Sequence, residues 1–224
     1  MRVIVMGGTS GIGRATAELL VARGAEVTVT GRRPSFAVAG LDFVRLDATD
    51  AEAVAGFFAG HGPVEHLVLA FSPGPVGLGP LAKTPAEDIR AAFEGKLFGY
   101  LGAIQRATVT ASITMISAAS ARAAYPGTTV LAAVNGAIER IVPPLAAELA
   151  PVRVNAVSPG AIDTPWWSFL PEDQRTAQFT DLSAALPARR IGTPAEVAGA
   201  VAYLVGAEYV TGTILPVDGG GTVS

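Results

Sequence analysis

Short apolar runs rich in valine and isoleucine alternate along the chain with longer stretches in which apolar positions recur at helical spacing. This alternation is typical of βαβ units, in which helices cover both faces of a parallel sheet. We predict seven strands, near residues 2–6, 26–30, 42–46, 65–70, 112–117, 152–157 and 213–217. We predict helices near residues 12–23, 50–60, 85–108, 128–149 and 194–205. The pattern therefore indicates an α/β chain with one doubly wound parallel sheet.

The chain length and the lack of an internal linker or repeat indicate a single domain, residues 1–224. Half of the 224 residues are hydrophobic, which is enough to bury one core. The mean hydropathy of +0.44 is high for a monomer. Parallel strands buried on both faces explain part of this value, and a subunit interface would explain the rest.

Composition excludes several classes of function. Charged residues make up only 16% of the chain and the net charge is −3, so the basic surface that nucleic-acid binding requires is lacking. No cysteine is present, which excludes disulfides and thiolate metal sites and fits a reducing compartment. With His61 and His66 as the only histidines, we expect no metal site. The first apolar run ends at Gly7, so we expect neither a signal peptide nor a membrane span, and a cytoplasmic location.

The loops that follow the predicted strands are the expected ligand site. In open parallel sheets, ligands bind in the crevice beyond the carboxyl ends of the strands. The loops expected to surround that crevice are 7–13, 31–35, 71–83, 117–127 and 158–187.

The first of these loops carries a glycine cluster, G-G-T-S-G-I-G at positions 7–13. Gly7, Gly11 and Gly13 permit a tight turn, a close approach of the backbone to a pyrophosphate, and close packing of helix on strand. The N-terminus of the following helix faces the negative charge, with Thr9, Ser10 and Ile12 completing the loop. A glycine cluster alone is a weak signal, but its place between a strand and a helix favours a dinucleotide site over an ordinary turn.

Residues after the second and third strands indicate which dinucleotide binds. Gly31 stands where an NAD-specific protein is expected to carry an acidic residue. Arg32 can instead meet the 2′-phosphate of NADP(H) through forked, charged hydrogen bonds, supported by Arg33 or Ser10. The alternative is that both arginines lie on a solvated loop. Asp47 is placed either to accept a hydrogen bond from the adenine amino group or to cap the next helix.

Taken in order, the motifs resemble those of the short-chain dehydrogenase/reductase family. They are the glycine loop, Asp47, N-A-V-S-P-G at 155–160 with T-P at 164–165, R-I-G-T-P-A-E-V-A at 190–198, and V-D-G-G at 217–220. The resemblance implies a Rossmann-type sheet in the order 3-2-1-4-5-6-7, a nicotinamide cofactor, and a homodimer or homotetramer. The further cofactor contacts that we expect are Ala48, Ala70, Pro159, Gly160, Ile162 and Thr164.

The catalytic residues depart from the family pattern. The family normally uses Asn, Ser, Tyr and Lys, with the last two spaced Y-x-x-x-K, and this motif is absent here. The resemblance puts Leu131 at the Tyr position, Asn135 at the Lys position, Ala118 at the Ser position and Lys96 at the Asn position. In the family, the Tyr hydroxyl exchanges a proton and the Lys ammonium lowers its pKa. Leucine can do neither, so the residues indicate cofactor binding and leave the proton donor open.

Five polar residues are candidates for the missing catalytic groups. Lys96 and Asn135 look exchanged relative to the family, and such an exchange would keep one ammonium and one amide in the site. The alternative is that both positions changed independently after catalysis was lost and that Lys96 reaches solvent. Tyr125 and Ser117 are candidate proton donors, as is Tyr100, and each also has an ordinary explanation as a packed or surface residue. Aromatic residues at five loop positions would either wall an apolar substrate pocket or form subunit contacts: Phe71, Trp166, Trp167, Phe169 and Phe179.

Three functions fit these residues. The first is an NADP(H)-dependent oxidoreductase acting on a carbonyl or similarly polarised group of an apolar small molecule. The second is a non-redox enzyme on the same scaffold, such as a cyclase, dehydratase or isomerase. The third is a non-catalytic NADP(H)-binding sensor, for which the missing Tyr is a direct explanation.

We predict that the protein is a homo-oligomer, because the segments 85–108 and 128–149 carry more apolar residues than one sheet face needs. Light scattering at micromolar concentration should report a dimer or a tetramer. A homogeneous species of 22.7 kDa would contradict the prediction.

Overall fold

A computed structural model describes residues 1–32 and 40–223. Their strands form one parallel sheet in the order β3-β2-β1-β4-β5-β6-β7, which confirms the predicted topology. The strands are β1 (Arg2–Met6), β2 (Glu26–Gly31), β3 (Leu41–Arg45), β4 (Val64–Leu69), β5 (Val109–Ile116), β6 (Arg153–Pro159) and β7 (Ile214–Val217). Arg33, a predicted cofactor contact, lies outside the described residues.

Helices cover both faces of this sheet. They are α1 (Gly11–Ala22), α2 (Ala51–His61), α3 (Ala86–Ala92), α4 (Gly99–Arg106), α5 (Thr129–Glu148), α6 (Glu172–Ala185) and α7 (Pro194–Gly206). Local chemistry sets two of their starts. The Asp50 carboxylate accepts hydrogen bonds from the first-turn amides of α2, and Thr193 with Glu196 forms a capping box at α7.

Two apolar clusters separated by the sheet form the core. On one face, α2, α4 and α5 pack residues such as Phe58, Tyr100 and Ile138 against the strands. On the other face, α1 and α7 contribute residues such as Leu20 and Val201. The strands therefore bury both of their faces, as their continuous apolar runs predict.

The segment predicted as one helix over 85–108 is interrupted in its middle. Residues Phe93–Phe98 form a π-helical turn between α3 and α4, and Lys96 lies in this turn. Gly95 and Gly99 flank Lys96. An added Cβ at Gly95 would lie 2.8 Å from the Cβ of Pro73, and one at Gly99 would lie 2.8 Å from the ring of Phe71. The π turn thus packs closely on the loop after β4 and points Lys96 inward.

The prediction of an irregular loop over 158–187 is wrong. This segment contains a 3-10 turn, Pro165–Phe169, and the helix α6, which begins after Pro171. None of the residues of α6 is buried. An exposed helix needs no apolar stripe, so the periodicity that reveals the other helices is missing here.

By length and apolar composition alone, α5 could cross a membrane. It is the one helix within residues 1–32 and 40–223 that meets these two criteria. Its buried residues include Val134, Ile138 and Val142, which lie in the core on one face of the sheet. The apolar character of α5 is therefore that of a helix packed inside an α/β fold.

His66 is a buried titratable group within the sheet. It lies on β4 beside Ser112 of β5, and its Nδ1 is 2.8 Å from the Ser112 hydroxyl oxygen. Burial lowers the pKa of His66 below its usual value; Glu65 partly opposes this, and Arg153 adds to it. The folded protein consequently favours the neutral ring.

We predict that His66 makes the free energy of unfolding depend on pH. Because the folded pKa is lowered, the unfolded chain takes up the proton first, and stability falls as the pH drops below about 6.5. His66→Gln should flatten that decline below about pH 6.5, measured by denaturant titration at each pH. His61→Gln, at the partly exposed end of α2, is the control and should flatten it less. An equal decline in the parent and in His66→Gln would contradict the prediction.

Candidate active site

Two glycines after β1 lie where no side chain fits. Gly7 has a φ of +83°, and an added Cβ would lie 2.6 Å from the backbone nitrogen of Phe71. At Gly13, an added Cβ would lie 2.2 Å from the carbonyl oxygen of Gly7. The loop therefore passes tightly between the ends of β1 and β4 and the start of α1, and only glycine permits this path.

The first turn of α1 presents backbone donors beside this loop. Ser10 precedes the helix with extended backbone, its side chain forms no capping hydrogen bond, and no acidic residue lies in the first turn. The amides of Gly11, Ile12 and Gly13 belong to this turn, where a helix has no acceptor of its own for them. The positive end of the helix dipole adds to their attraction for anions. These residues fit the pyrophosphate of a dinucleotide.

The end of β2 is tightly packed at Gly31 and is followed by an exposed cation. An added Cβ at Gly31 would lie 2.6 Å from Thr9 Oγ1, so an aspartate here requires Thr9 to move. Arg32 follows, with an exposed side chain that is close enough to Asp47 to contribute to lowering that residue's pKa. The geometry thus offers a guanidinium and no carboxylate at this position.

Asp47 lies beyond the end of β3 and is free of any capping role. Its Oδ1 accepts hydrogen bonds from the Thr49 amide at 3.0 Å and from the Thr49 hydroxyl at 2.8 Å. These two bonds hold the pKa of Asp47 below its usual range, with Arg32 contributing less and partial burial opposing. Because Asp50 caps α2, the alternative that Asp47 caps this helix is wrong. Ala48 follows, with its carbonyl facing Gly99.

The ends of β4 and β6 form the opposite wall. The Ala70 amide donates to the Met6 carbonyl at 2.9 Å, and an added Cβ at Gly13 would lie 3.2 Å from the Ala70 methyl carbon. Pro159 is buried at the end of β6, and an added Cβ at Gly160 would lie 2.7 Å from the Asp218 Cα. The chain after β6 therefore packs closely on the segment after β7.

Beyond Gly160 the chain returns to the glycine loop. Ile162 is buried in the core, and its carbonyl accepts a hydrogen bond from the Trp167 indole at 3.0 Å. An added Cβ at Gly11 would lie 3.4 Å from the Thr164 Cβ. Thr164 also caps the 3-10 turn through the Trp166 amide, at 3.3 Å. The structure thus brings Thr164 across the crevice to the start of α1.

Lys96 and Asn135 meet at the carboxyl edge of β5. Lys96 Nζ donates to Asn135 Oδ1 at 2.6 Å and to the Ser117 carbonyl, one residue beyond β5, at 3.3 Å. The Asn135 amide nitrogen donates to the Leu131 carbonyl at 2.8 Å and to the Ser120 hydroxyl at 3.3 Å. Lys96 is only 9% exposed. The contact expected of an exchanged pair is therefore present, and the alternative that Lys96 reaches solvent is wrong.

Burial determines the protonation of Lys96. Removal from water lowers its pKa to about 7, while the carboxylate of Glu139 acts in the opposite direction. A lysine with this pKa both gives up and regains a proton near neutral pH.

Ser117 lies outside the crevice, although the sequence made it a candidate donor. Its side chain is 2% exposed, and its hydroxyl donates to Glu139 Oε1 at 2.8 Å and to the Val157 carbonyl at 3.3 Å. Glu139 Oε2 in turn pairs with Arg122 Nε at 3.1 Å. We call Lys96, Asn135, Ser117, Glu139 and Arg122 the charged network.

Sequence reasoning missed Glu139 and Arg122. The spacing of Asn135 and Glu139, four residues apart on a helix, places both on one face and could have revealed Glu139. Arg122 carries no such signal, because it lies in irregular chain after β5.

Both tyrosine candidates have structural partners. Tyr100 is fully buried, and its hydroxyl lies 3.2 Å from the carbonyls of both Phe71 and Ile116. Burial raises its pKa far above the usual value, so it does not exchange a proton at neutral pH. Tyr125 is 41% exposed, and its hydroxyl donates to the Gly221 carbonyl at 3.1 Å. Partial burial and the nearby Asp218 raise its pKa.

The predicted aromatic wall divides into two parts. Phe71 packs edge-on against Tyr100, with ring centroids 4.8 Å apart, and belongs to the core. Trp166, Trp167 and Phe169 pack on one another in the 3-10 turn, and Phe179 of α6 packs against Trp167 with centroids 5.4 Å apart. We call these four residues the aromatic cluster. It attaches α6 to the loop after β6.

The sheet order, the glycine loop and the residues after β6 together define a dinucleotide-binding oxidoreductase fold. The chain belongs to the short-chain dehydrogenase/reductase family. Residues 7–222 match a family model described as enoyl-(acyl carrier protein) reductase.

Named relatives extend over nearly the whole chain. The chain is 36% identical to the 3-oxoacyl-(acyl-carrier-protein) reductase MabA of Mycobacterium bovis, across 97% of this chain and 91% of that protein. It is 32% identical to a tropinone reductase homolog of Datura stramonium, across 100% of this chain and 92% of that protein. Its fold matches the crystal structure of a small-chain dehydrogenase in complex with NADPH, with a TM-score of 0.89, 30% identity, and coverage of 100% and 99%. The protein is therefore an oxidoreductase of this family.

Proposed function

We propose that the protein is an NADP(H)-dependent reductase of a carbonyl or similarly polarised group, in which Lys96 replaces the family's tyrosine as proton donor. The observation that carries this proposal is the buried contact between Lys96 and Asn135 at the carboxyl edge of the sheet. The glycine loop, the first turn of α1 and Arg32 would hold the dinucleotide, with Asp47 and Ala48 at its adenine end and Pro159, Gly160, Ile162 and Thr164 at its nicotinamide end.

A bound NADPH supplies the hydride, and the chain must supply a proton to the oxygen that becomes a hydroxyl. Lys96 Nζ carries three donors when protonated. Among the described residues, Asn135 and the Ser117 carbonyl take two of them, which leaves one for a ligand. Lys96 gives this proton to the substrate oxygen and is left as a neutral amine, which takes up a proton from solvent before the next turnover.

The aromatic cluster supports an apolar substrate. Three of its side chains follow Thr164, which lies beside the glycine loop, and Phe169 among them is exposed. The names of the family model and of the mycobacterial relative both refer to groups carried on acyl carrier protein. Pockets for such chains are lined mainly by apolar and aromatic residues.

Leu131 favours one alternative, a protein that binds NADP(H) without turnover. It occupies the position of the family's tyrosine and offers no side-chain proton; its carbonyl only accepts from Asn135. Titration with NADPH followed by a screen of carbonyl substrates separates the two functions. Tight binding without consumption of NADPH for any substrate would favour the sensor. Conversion of a substrate without consumption of NADPH would favour a cyclase, dehydratase or isomerase.

We also propose that the enzyme is a homodimer or homotetramer in the cytoplasm. The exposed apolar side chains of Phe98 on the π turn and Tyr203 on α7 support a subunit interface. The absence of cysteine from the sequence fits a reducing compartment.

We predict that NADP(H) binds more tightly than NAD(H). A charged hydrogen bond from Arg32 to the 2′-phosphate should contribute about 1.5–3 kcal/mol, which corresponds to roughly a ten- to hundredfold difference in affinity. Calorimetric titration with both cofactors measures this preference. Arg32→Asp should abolish it, whereas Arg23→Asp, the same charge change at the exposed far end of α1, should not. Equal affinities in the parent, or an unchanged preference in Arg32→Asp, would refute the assignment.

We predict that reduction slows as the pH rises through about 7, because Lys96 then loses the proton that it donates. Lys96→Met should lower the rate by about 10²- to 10⁴-fold and remove this pH dependence. Its thermal stability should change little, since the lost hydrogen bond is offset by the removal of a buried charge.

Lys83→Met is the matched control, because Lys83 is the only other lysine and its side chain is exposed. It should leave both the rate and the pH profile unchanged. If Lys96→Met reduces substrate as fast as the parent does, Lys96 is not the proton donor.

A further inference from the structure

The charged network continues from Lys96 away from the crevice. Lys96 donates to the carbonyl of Ser117, and the hydroxyl of the same residue donates to Glu139. The Glu139 side chain is 10% exposed, and its second oxygen pairs with Arg122, whose side chain is 37% exposed. Glu139 is therefore an anion held between a buried cation and a more exposed one.

We propose that Glu139 is a positioning residue that favours the ammonium form of Lys96 in the absence of ligand, and that Arg122 weakens this effect by pairing with the same carboxylate. The proposal rests on the proposed function, because Glu139 matters for catalysis only if Lys96 is the proton donor. It adds a means by which two residues outside the crevice set the pH range of that donation.

The physical reason is the balance between burial and charge attraction. Burial disfavours the ammonium form of Lys96, and a carboxylate in a low-dielectric surrounding favours it strongly. The neutral groups that hold Lys96, the Asn135 amide and the Ser117 carbonyl, accept hydrogen bonds but carry no charge. A full negative charge opposes the loss of the Lys96 proton at near-neutral pH, and Glu139 supplies this charge.

The charged and titratable groups in or next to the charged network come from four elements. On α5 the group is Glu139, and in the segment after β5 it is Arg122. After β7 it is Asp218, which interacts electrostatically with Arg122. On the helix of Lys96 itself it is Tyr100, which stays neutral and bonds two backbone carbonyls.

Two substitutions should shift the pKa of Lys96 in opposite directions. Glu139→Gln keeps an acceptor for the Ser117 hydroxyl but removes the negative charge, so the pKa of Lys96 should fall by roughly one unit. Arg122→Gln removes a positive charge and leaves the carboxylate unpaired, so the pKa of Lys96 should rise. Loss of packing alone would not produce opposite signs.

The chain offers a direct measurement, because Lys83 and Lys96 are its only lysines. Protein prepared with isotope-labelled lysine, without cofactor or substrate, should give two side-chain NMR signals. The Lys83 signal is an internal reference for an exposed amine, and the Lys96 signal is titrated in the parent and in both variants. Glu148→Gln removes an exposed charge from the last turn of the same helix and is the matched control.

A lowered Lys96 pKa in Glu139→Gln and a raised one in Arg122→Gln, with Glu148→Gln and the Lys83 signal unchanged, would support the proposal. A Lys96 titration in Glu139→Gln that matches Glu148→Gln would overturn it. If Glu139→Gln does not fold, Arg122→Gln decides, and an unchanged or lowered Lys96 pKa there overturns the proposal. Since the titration needs no turnover, shifts as expected in a protein that reduces nothing would refute the proposed function and leave the role of Glu139 standing.

Discussion

The burial of one ammonium group constrains the surroundings of the candidate active site. A buried charge requires hydrogen-bond partners and a compensating charge, and both are costly to omit. The π turn places Lys96 inside the sheet edge, α5 supplies Asn135 and Glu139, and the chain after β5 supplies the Ser117 carbonyl. Three elements of the fold therefore meet at a single buried amine and supply its partners.

The periodicity of apolar residues revealed the strands and the helices that pack on the sheet, because burial itself produces that pattern. The pattern did not predict the helix α6, since this helix buries no residue. The π turn was not predicted either, because one additional residue per turn changes the backbone without changing the apolar composition. The glycine loop was predictable at the level of single residues, because steric exclusion at Gly7 and Gly13 leaves no alternative residue.

Polar side chains were harder to place than apolar ones. Ser117 was a plausible donor from its position after β5, yet its hydroxyl is buried and donates to Glu139 of α5. Tyr100 lies one helical turn beyond Lys96, yet its hydroxyl bonds two backbone carbonyls inside the core. The contact between Lys96 and Asn135 was predictable, because the family resemblance already implies that these two positions face one another. The direction of a lone hydroxyl depends on packing that no local pattern encodes.

The attachment of α6 through the aromatic cluster has a consequence for how this enzyme can diverge. Phe179 packs on Trp167, and the rest of the helix buries nothing. Substitutions along α6 therefore leave the core intact, whereas substitutions in the glycine loop do not. Mutational drift can reshape this exposed helix while the sheet and the glycine loop stay fixed. The sequence of α6 is in this sense the most evolvable part of the chain, because a helix without buried residues can change independently of folding.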